Sequence, residues 1–216
     1  MSGARVSRPS RAPRVAAAQV VQGVLEGHSL ATLIPQKLAA IDDQRDRALA
    51  QELSYGVLRH YHRLKALLDR LLQKPLKGRD RDVTALLLIG FYQLLYLRVA
   101  DHAAVNETAG AAKSLGKRWA VGLVNGVLRR LQREQEPLLA SLEWSEEARF
   151  AMPSWLLNEL RQRWPDNWQQ RVDELNARPP MTLRLNLDGT GRQAYLEQLF
   201  EAVSYTHLTL PTTRLV

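Results

Sequence analysis

Through the first 135 residues apolar side chains recur at three- and four-residue spacing, and period-two alternation does not occur. That pattern restricts this stretch to helices that bury one face, and a chain of such helices can only be stable by packing them on one another. Val20, Val21, Val24 and Leu25 share a face before Gly27 ends the first helix. Ser29 is placed to N-cap a helix carrying Leu30, Leu33, Ile34, Leu38 and Ile41. After Asp42 and Asp43, one long pattern runs through Leu49, Leu53, Val57, Leu58, Leu64, Leu67, Leu68, Leu71 and Leu72 until Lys74-Pro75 stops it. Asp80 is expected to cap an apolar helix reaching about Val99, and further helices are expected near 102–115 and 119–135. The fold class predicted is all-α, a helical bundle.

The pattern changes after Glu134. Residues 134–176 are richer in acids and hold Trp144, Trp155, Trp164 and Trp168. Pro153 is expected to open one helix and Pro165-Asp166 another. Arg178-Pro179-Pro180 is a rigid break, and residues 181–187 (MTLRLNL) then alternate at period two. A turn at Asp188-Gly189 and a helix with Tyr195, Leu196, Leu199 and Phe200 make this the incomplete start of a small α+β unit. The last segment, residues 204–216 (SYTHLTLPTTRLV), fits neither composition and reads as a translated non-native tail, such as adaptor read-through, with a genuine short strand as the alternative.

The 216 residues carry 30 Lys+Arg against 22 Asp+Glu, a formal net charge of +8, unevenly placed. Arg5, Arg8, Arg11 and Arg14 lie in an acid-free first block, and Lys113, Lys117, Arg118, Arg129, Arg130 and Arg133 lie in a second. Local basic blocks suit a polyanion, so these ten residues are the candidate RNA-binding set. The first block could alternatively be an organellar transit sequence, since no acid precedes Glu26. The most apolar run, residues 84–97, contains Gln93 and is flanked by charges; it is too short to span a bilayer and is expected to be a buried core helix. No membrane partner is expected, and the expected location is cytoplasmic.

The absence of cysteine excludes disulfides, thiolate metal sites and a thiol nucleophile. Among His28, His60, His62, His102 and His207, no spacing suits a shared metal ion, and no metal site is expected. Residues 189–194 (GTGRQA) match the dinucleotide fingerprint, but Arg184 and Asn186 make one face of the preceding strand polar, where a Rossmann strand is apolar on both. The match is read as chance. In the helix from Trp119, Val121, Val124, Leu128 and Leu131 form an apolar stripe, with Gly122, Gly126 and the three arginines roughly opposite.

Four segments in order resemble the helical motifs of NusB-like domains: QELSYGVLR (residues 51–59), IGFYQLLY (89–96), HAAVNE (102–107) and VNGVLRR (124–130). Beyond them, RPPMTLRLN (178–186) resembles the start of the linker domain in the Sun/Fmu family of bacterial small-subunit rRNA cytosine-5 methyltransferases. The resemblance covers about residues 14–203. It implies a basic arm (1–14), a NusB-like RNA-binding domain (15–136), a helical connector (137–177), the truncated start of an α+β linker domain (178–203) and the odd tail (204–216). The family's catalytic domain uses cysteines and an S-adenosylmethionine site; neither is present, so no catalytic or cofactor-binding residue carries over. The chain is expected to be an RNA-binding accessory region cut before its catalytic domain, with small-subunit rRNA and that missing domain as partners. Two other readings stay open: a free-standing NusB-type transcription antitermination factor and a helical protein-interaction domain. Continuation into residues 178–186 speaks against the former, and RNA binding would separate both from the latter.

Overall fold

The computed structural model describes residues 12–179 and 193–197. The period-two strand at 181–187, the fingerprint at 189–194 (apart from Gln193 and Ala194), the tail at 204–216, and Arg5, Arg8 and Arg11 lie outside them. Backbone contacts divide the chain at Ala177/Arg178 into two units, the first of which holds the helices from Ala12 to Asn176.

That unit is built from α1 (Ala12–Leu25), α2 (Leu30–Leu38), α3 (Gln44–Arg59), α4 (Tyr61–Leu71), α5 (Arg81–Tyr96), α6 (Asp101–Ser114), α7 (Ala120–Arg133), α8 (Gln135–Leu142), α9 (Glu146–Phe150), α10 (Ser154–Arg163) and α11 (Trp168–Asn176). No strand occurs among the described residues. Helix α5 is the axle: Leu86, Leu87, Leu88, Ile89 and Phe91 are fully buried, and α1, α3, α4, α6 and α7 pack around it. A helix buried on all sides must be apolar all round, as the run at 84–97 anticipates. Its one interior amide, Gln93, donates to Thr108 Oγ1 on α6 at 2.9 Å and to Ile89 O at 3.2 Å. The donors that burial strips of water are thereby re-satisfied. A smaller cluster of Val20, Leu33, Leu38 and Ile41 seats α2, and Met152, Leu157, Leu160 and Val172 give α10 and α11 a core of their own.

The helix ends follow local chemistry unevenly. Gly27, at φ +94°, lets His28 N–H reach back to Gly23 O at 3.0 Å and closes α1. Asp43 caps α3, accepting from Asp46 N–H at 2.8 Å. Ser29 stands at the N-cap of α2 but makes no side-chain cap bond. Asp80, expected to cap α5, makes none either, because its carboxylate is taken by Lys117.

The single long pattern expected across residues 44–72 is two helices. His60, at φ −102° and ψ 18°, separates α3 from α4. Val57 and Leu64 are two turns apart, so the apolar stripe stays in phase across the break and the periodicity conceals it. The break is held by tertiary packing: the His60 ring stacks on Tyr96 at 4.2 Å, with Tyr92 5.3 Å from Tyr96. Burial, together with Arg59 and Arg63, pushes the His60 pKa down to about 4. The unfolded chain protonates this ring near pH 6.5, so the folded state is disfavoured progressively as pH falls from about 6.5 to about 4; the penalty is absent above that window and complete below it. Wild type should therefore lose thermal stability faster than His60→Gln over this range. Parallel melting curves from pH 7 to pH 4 would count against this role for the ring.

Candidate nucleic-acid interface

The described cations of the two basic blocks separate into three groups. Arg14 does not belong to an arm: α1 begins at Ala12, and Arg14 is buried at 4% exposure among α1 side chains that face the core. Burial pushes its guanidinium pKa down, and the charges of Glu107 and Asp46 oppose that shift. Arg14 thus lies within the first helix of the folded unit. Arg14 is a charged member of the core, held by the field of carboxylates on α6 and α3.

Lys117 and Arg130 are committed within the fold. Lys117 Nζ lies 2.7 Å from Asp80 Oδ1 and 3.7 Å from Asp82 Oδ1, and donates to Arg79 O at 2.9 Å. The hydrogen bond from Lys117 holds Asp80 below the usual carboxylate range, and the same bond raises Lys117. Lys117 thus ties the α6–α7 connection to the start of α5. Arg130 Nε donates to Glu134 Oε2 at 3.0 Å, and a terminal nitrogen reaches Leu71 O at 3.4 Å. Of the second block, Lys117 is therefore largely covered by its carboxylate partners, while Arg130 is paired but still partly exposed.

The third group faces water. Lys113 in the last turn of α6, Arg118 in the connection, and Arg129 and Arg133 on α7 are exposed. Among the described residues none of the four forms an ion pair; Arg129 Nε contacts only the Asn125 side chain, at 3.3 Å. The orientation of α7 explains this sorting. Ala120, Val124, Val127, Leu128 and Leu131 are its buried face, with Gly90 of α5 set so close that a Cβ there would lie 2.5 Å from Leu128 Cδ2. Val127, not Val121, completes the buried stripe. Opposite it, Trp119, Gly122, Gly126, Arg129 and Arg133 fall at alternating three- and four-residue steps, which places them on one outward face. A Cβ at Gly122 or Gly126 would meet nothing within 4 Å, so these glycines are not packing sites within the described fold. The first turn of α7 has no acid to offset the positive end of its dipole.

Trp119 was not among the sequence candidates. The residue is 55% exposed at the start of α7, and no acid occurs between Glu107 and Glu134. An aromatic residue inside an acid-free basic stretch was the available signal. His102 is exposed on α6 with no cap bond. No metal-binding cluster occurs, and no helix is long and apolar enough to cross a membrane, among the described residues.

Residues 152–208 match the Methyltr_RsmF/B-like, ferredoxin-like domain, a match that includes α10 and α11 and runs into the last segment. The chain is 49% identical over 191 residues to ribosomal RNA small subunit methyltransferase B of Pseudomonas putida, covering 88% of this chain and 44% of that protein. It is 44% identical over 190 residues to the protein of the same name from Escherichia coli, covering 88% and 44%. A probable ribosomal RNA small subunit methyltransferase B from Coxiella burnetii is 45% identical over 157 residues, covering 73% and 36%. The chain spans less than half the length of these relatives. The NusB family profile matches residues 11–133, the stretch from α1 to α7 that carries the outward cationic face, and the chain belongs to the NusB family.

Proposed function

We infer that this chain is the RNA-binding accessory region of an S-adenosylmethionine-dependent small-subunit rRNA (cytosine-C5) methyltransferase, acting in the cytoplasm. It holds substrate RNA for a catalytic domain that lies outside these 216 residues. The observation that carries the reading is the face of α6 and α7: Lys113, Arg118, Arg129 and Arg133 without carboxylate partners among the described residues, on a NusB fold followed by an RsmF/B-like match. Cations left unneutralised on a rigid support suit phosphate, since no internal pair must be broken to engage it. The free-standing antitermination reading is weaker, because such a factor has no use for the match at 152–208. The chain has no cysteine to attack C6 of cytosine, so its contribution to methyl transfer is binding alone.

The test is equilibrium binding of the full chain to transcribed small-subunit rRNA across a salt series, with S-adenosylmethionine titrated separately. Affinity for RNA should fall steeply and linearly on logarithmic axes as salt rises, and the cofactor should give no heat. Absence of RNA binding at low salt would overturn the reading, and label transfer by the isolated chain would overturn the assignment of a binding-only role.

A further inference from the structure

We propose that the outward face of α7 is a platform for single-stranded RNA, on which Trp119 stacks an unpaired base while Arg129 and Arg133 hold phosphates of the same strand. This rests on the RNA-binding reading above and adds the form of the RNA and a residue that specifies it.

Trp119 stands at the N-cap of α7, where a short oxygen-bearing side chain would be favoured, and makes no side-chain cap bond. The residue is 55% exposed, so neither capping nor core packing accounts for it. The other large exposed indoles have acidic company: Trp144, 92% exposed, lies between Glu143 and Glu146; Trp155, 65% exposed, is four residues from Glu159; Trp164, 43% exposed, is two from Asp166. Trp164 also follows an arginine, but Trp119 alone among these precedes an acid-free helix. Charge complementarity therefore selects a polyanion as its occupant, and the ring selects one that offers a flat apolar face.

The spacing fits a strand rather than a point ligand. At 1.5 Å per residue Arg129 lies about 15 Å and Arg133 about 21 Å along the helix from Trp119, a span of several nucleotides. Between them the face is kept low by Gly122 and Gly126, beside which there is open space. A sugar–phosphate backbone can lie against the helix there without displacing a side chain. Stacking on an isolated indole requires a base already free of its partner, which a duplex does not present.

The experiment measures binding of a short mixed-sequence single strand and of a blunt RNA duplex of equal length to the full chain, its Trp119→Ala and Trp119→Phe variants, and Arg129→Ala/Arg133→Ala. Trp119→Ala should weaken single-strand binding about tenfold, leave duplex affinity and the salt slope unchanged, and be largely rescued by Trp119→Phe. Melting temperatures should match, because the ring is mostly outside the core. Single-strand affinity within about twofold of wild type for Trp119→Ala, or an equal loss on duplex, overturns the platform. If the arginine variant loses affinity and Trp119→Ala does not, this inference fails and the RNA-binding reading stands; if wild type binds neither RNA, both fail.

Discussion

Gly56→Ala should destabilise the chain by about 2–3 kcal/mol, although it places a better helix former inside α3. The cause is Tyr92. A Cβ at Gly56 would lie 2.0 Å from Tyr92 Cζ and 2.4 Å from its hydroxyl oxygen. The tyrosine cannot swing clear cheaply: it is buried on α5, its ring lies beside His60 and Tyr96, and its hydroxyl donates to Glu52 Oε1 at 2.8 Å. Relief requires α3 and α5 to separate or the ring to leave its rotamer, and either outweighs the roughly 1 kcal/mol gained from replacing a helical glycine. The melting temperature should fall by roughly 5–10 °C. Tyr92→Leu removes the ring end that clashes, so the cost of Gly56→Ala should shrink in that background, a coupling readable in a double-mutant cycle. A melting temperature at or above wild type for Gly56→Ala alone would mean that α3 and α5 are not packed this closely.

The residues that set this contact show where sequence reading reaches its limit. That α5 would be a buried helix was legible from its unbroken apolar run, and so were the α1 stop at Gly27 and the Asp43 cap, because each depends on chemistry within a few residues. The approach of Gly56 to Tyr92 was not legible: it joins residues 36 positions apart, and a glycine in a helix carries no mark of what lies against it. The break at His60 was hidden for a related reason, since the stripe stays in phase and the ring's stacking partner is on α5. At the candidate interface the basic blocks were visible, but their availability was not. Glu134 follows Arg130 by four residues, a spacing that reads as a helix pair, whereas the partner of Lys117 is Asp80, 37 positions away. Arg14 looked like the end of a basic arm because its neighbours in sequence are basic; the carboxylates that act on it, Glu107 and Asp46, come from other helices.

The same sorting predicts how RNA binding responds to salt. Arg129→Ala/Arg133→Ala should lower the slope of log affinity against log salt by about 1.4 on single-stranded RNA, since each phosphate contact contributes about 0.7. Extrapolated along that line, the affinity at 0.1 M salt should fall roughly 10- to 30-fold. Adding Arg130→Ala should change the slope little further, because its guanidinium already serves Glu134 and the Leu71 carbonyl. Lys117→Met should leave the slope intact and lower the melting temperature instead, because it leaves Asp80 and Asp82 facing each other without their shared cation. Removing residues 1–11 takes away Arg5, Arg8 and Arg11 and should lower the slope by up to about 2. Extending the deletion to Arg14 should add a loss of stability, since it removes the first residues of α1 and a buried cation facing Glu107 and Asp46. The decisive comparison is between the outward pair and the committed pair. Equal slopes for Arg129→Ala/Arg133→Ala and wild type would remove α7 from the interface, and a slope change for Lys117→Met as large as for the outward pair would show that the internal ion pairs open when RNA binds.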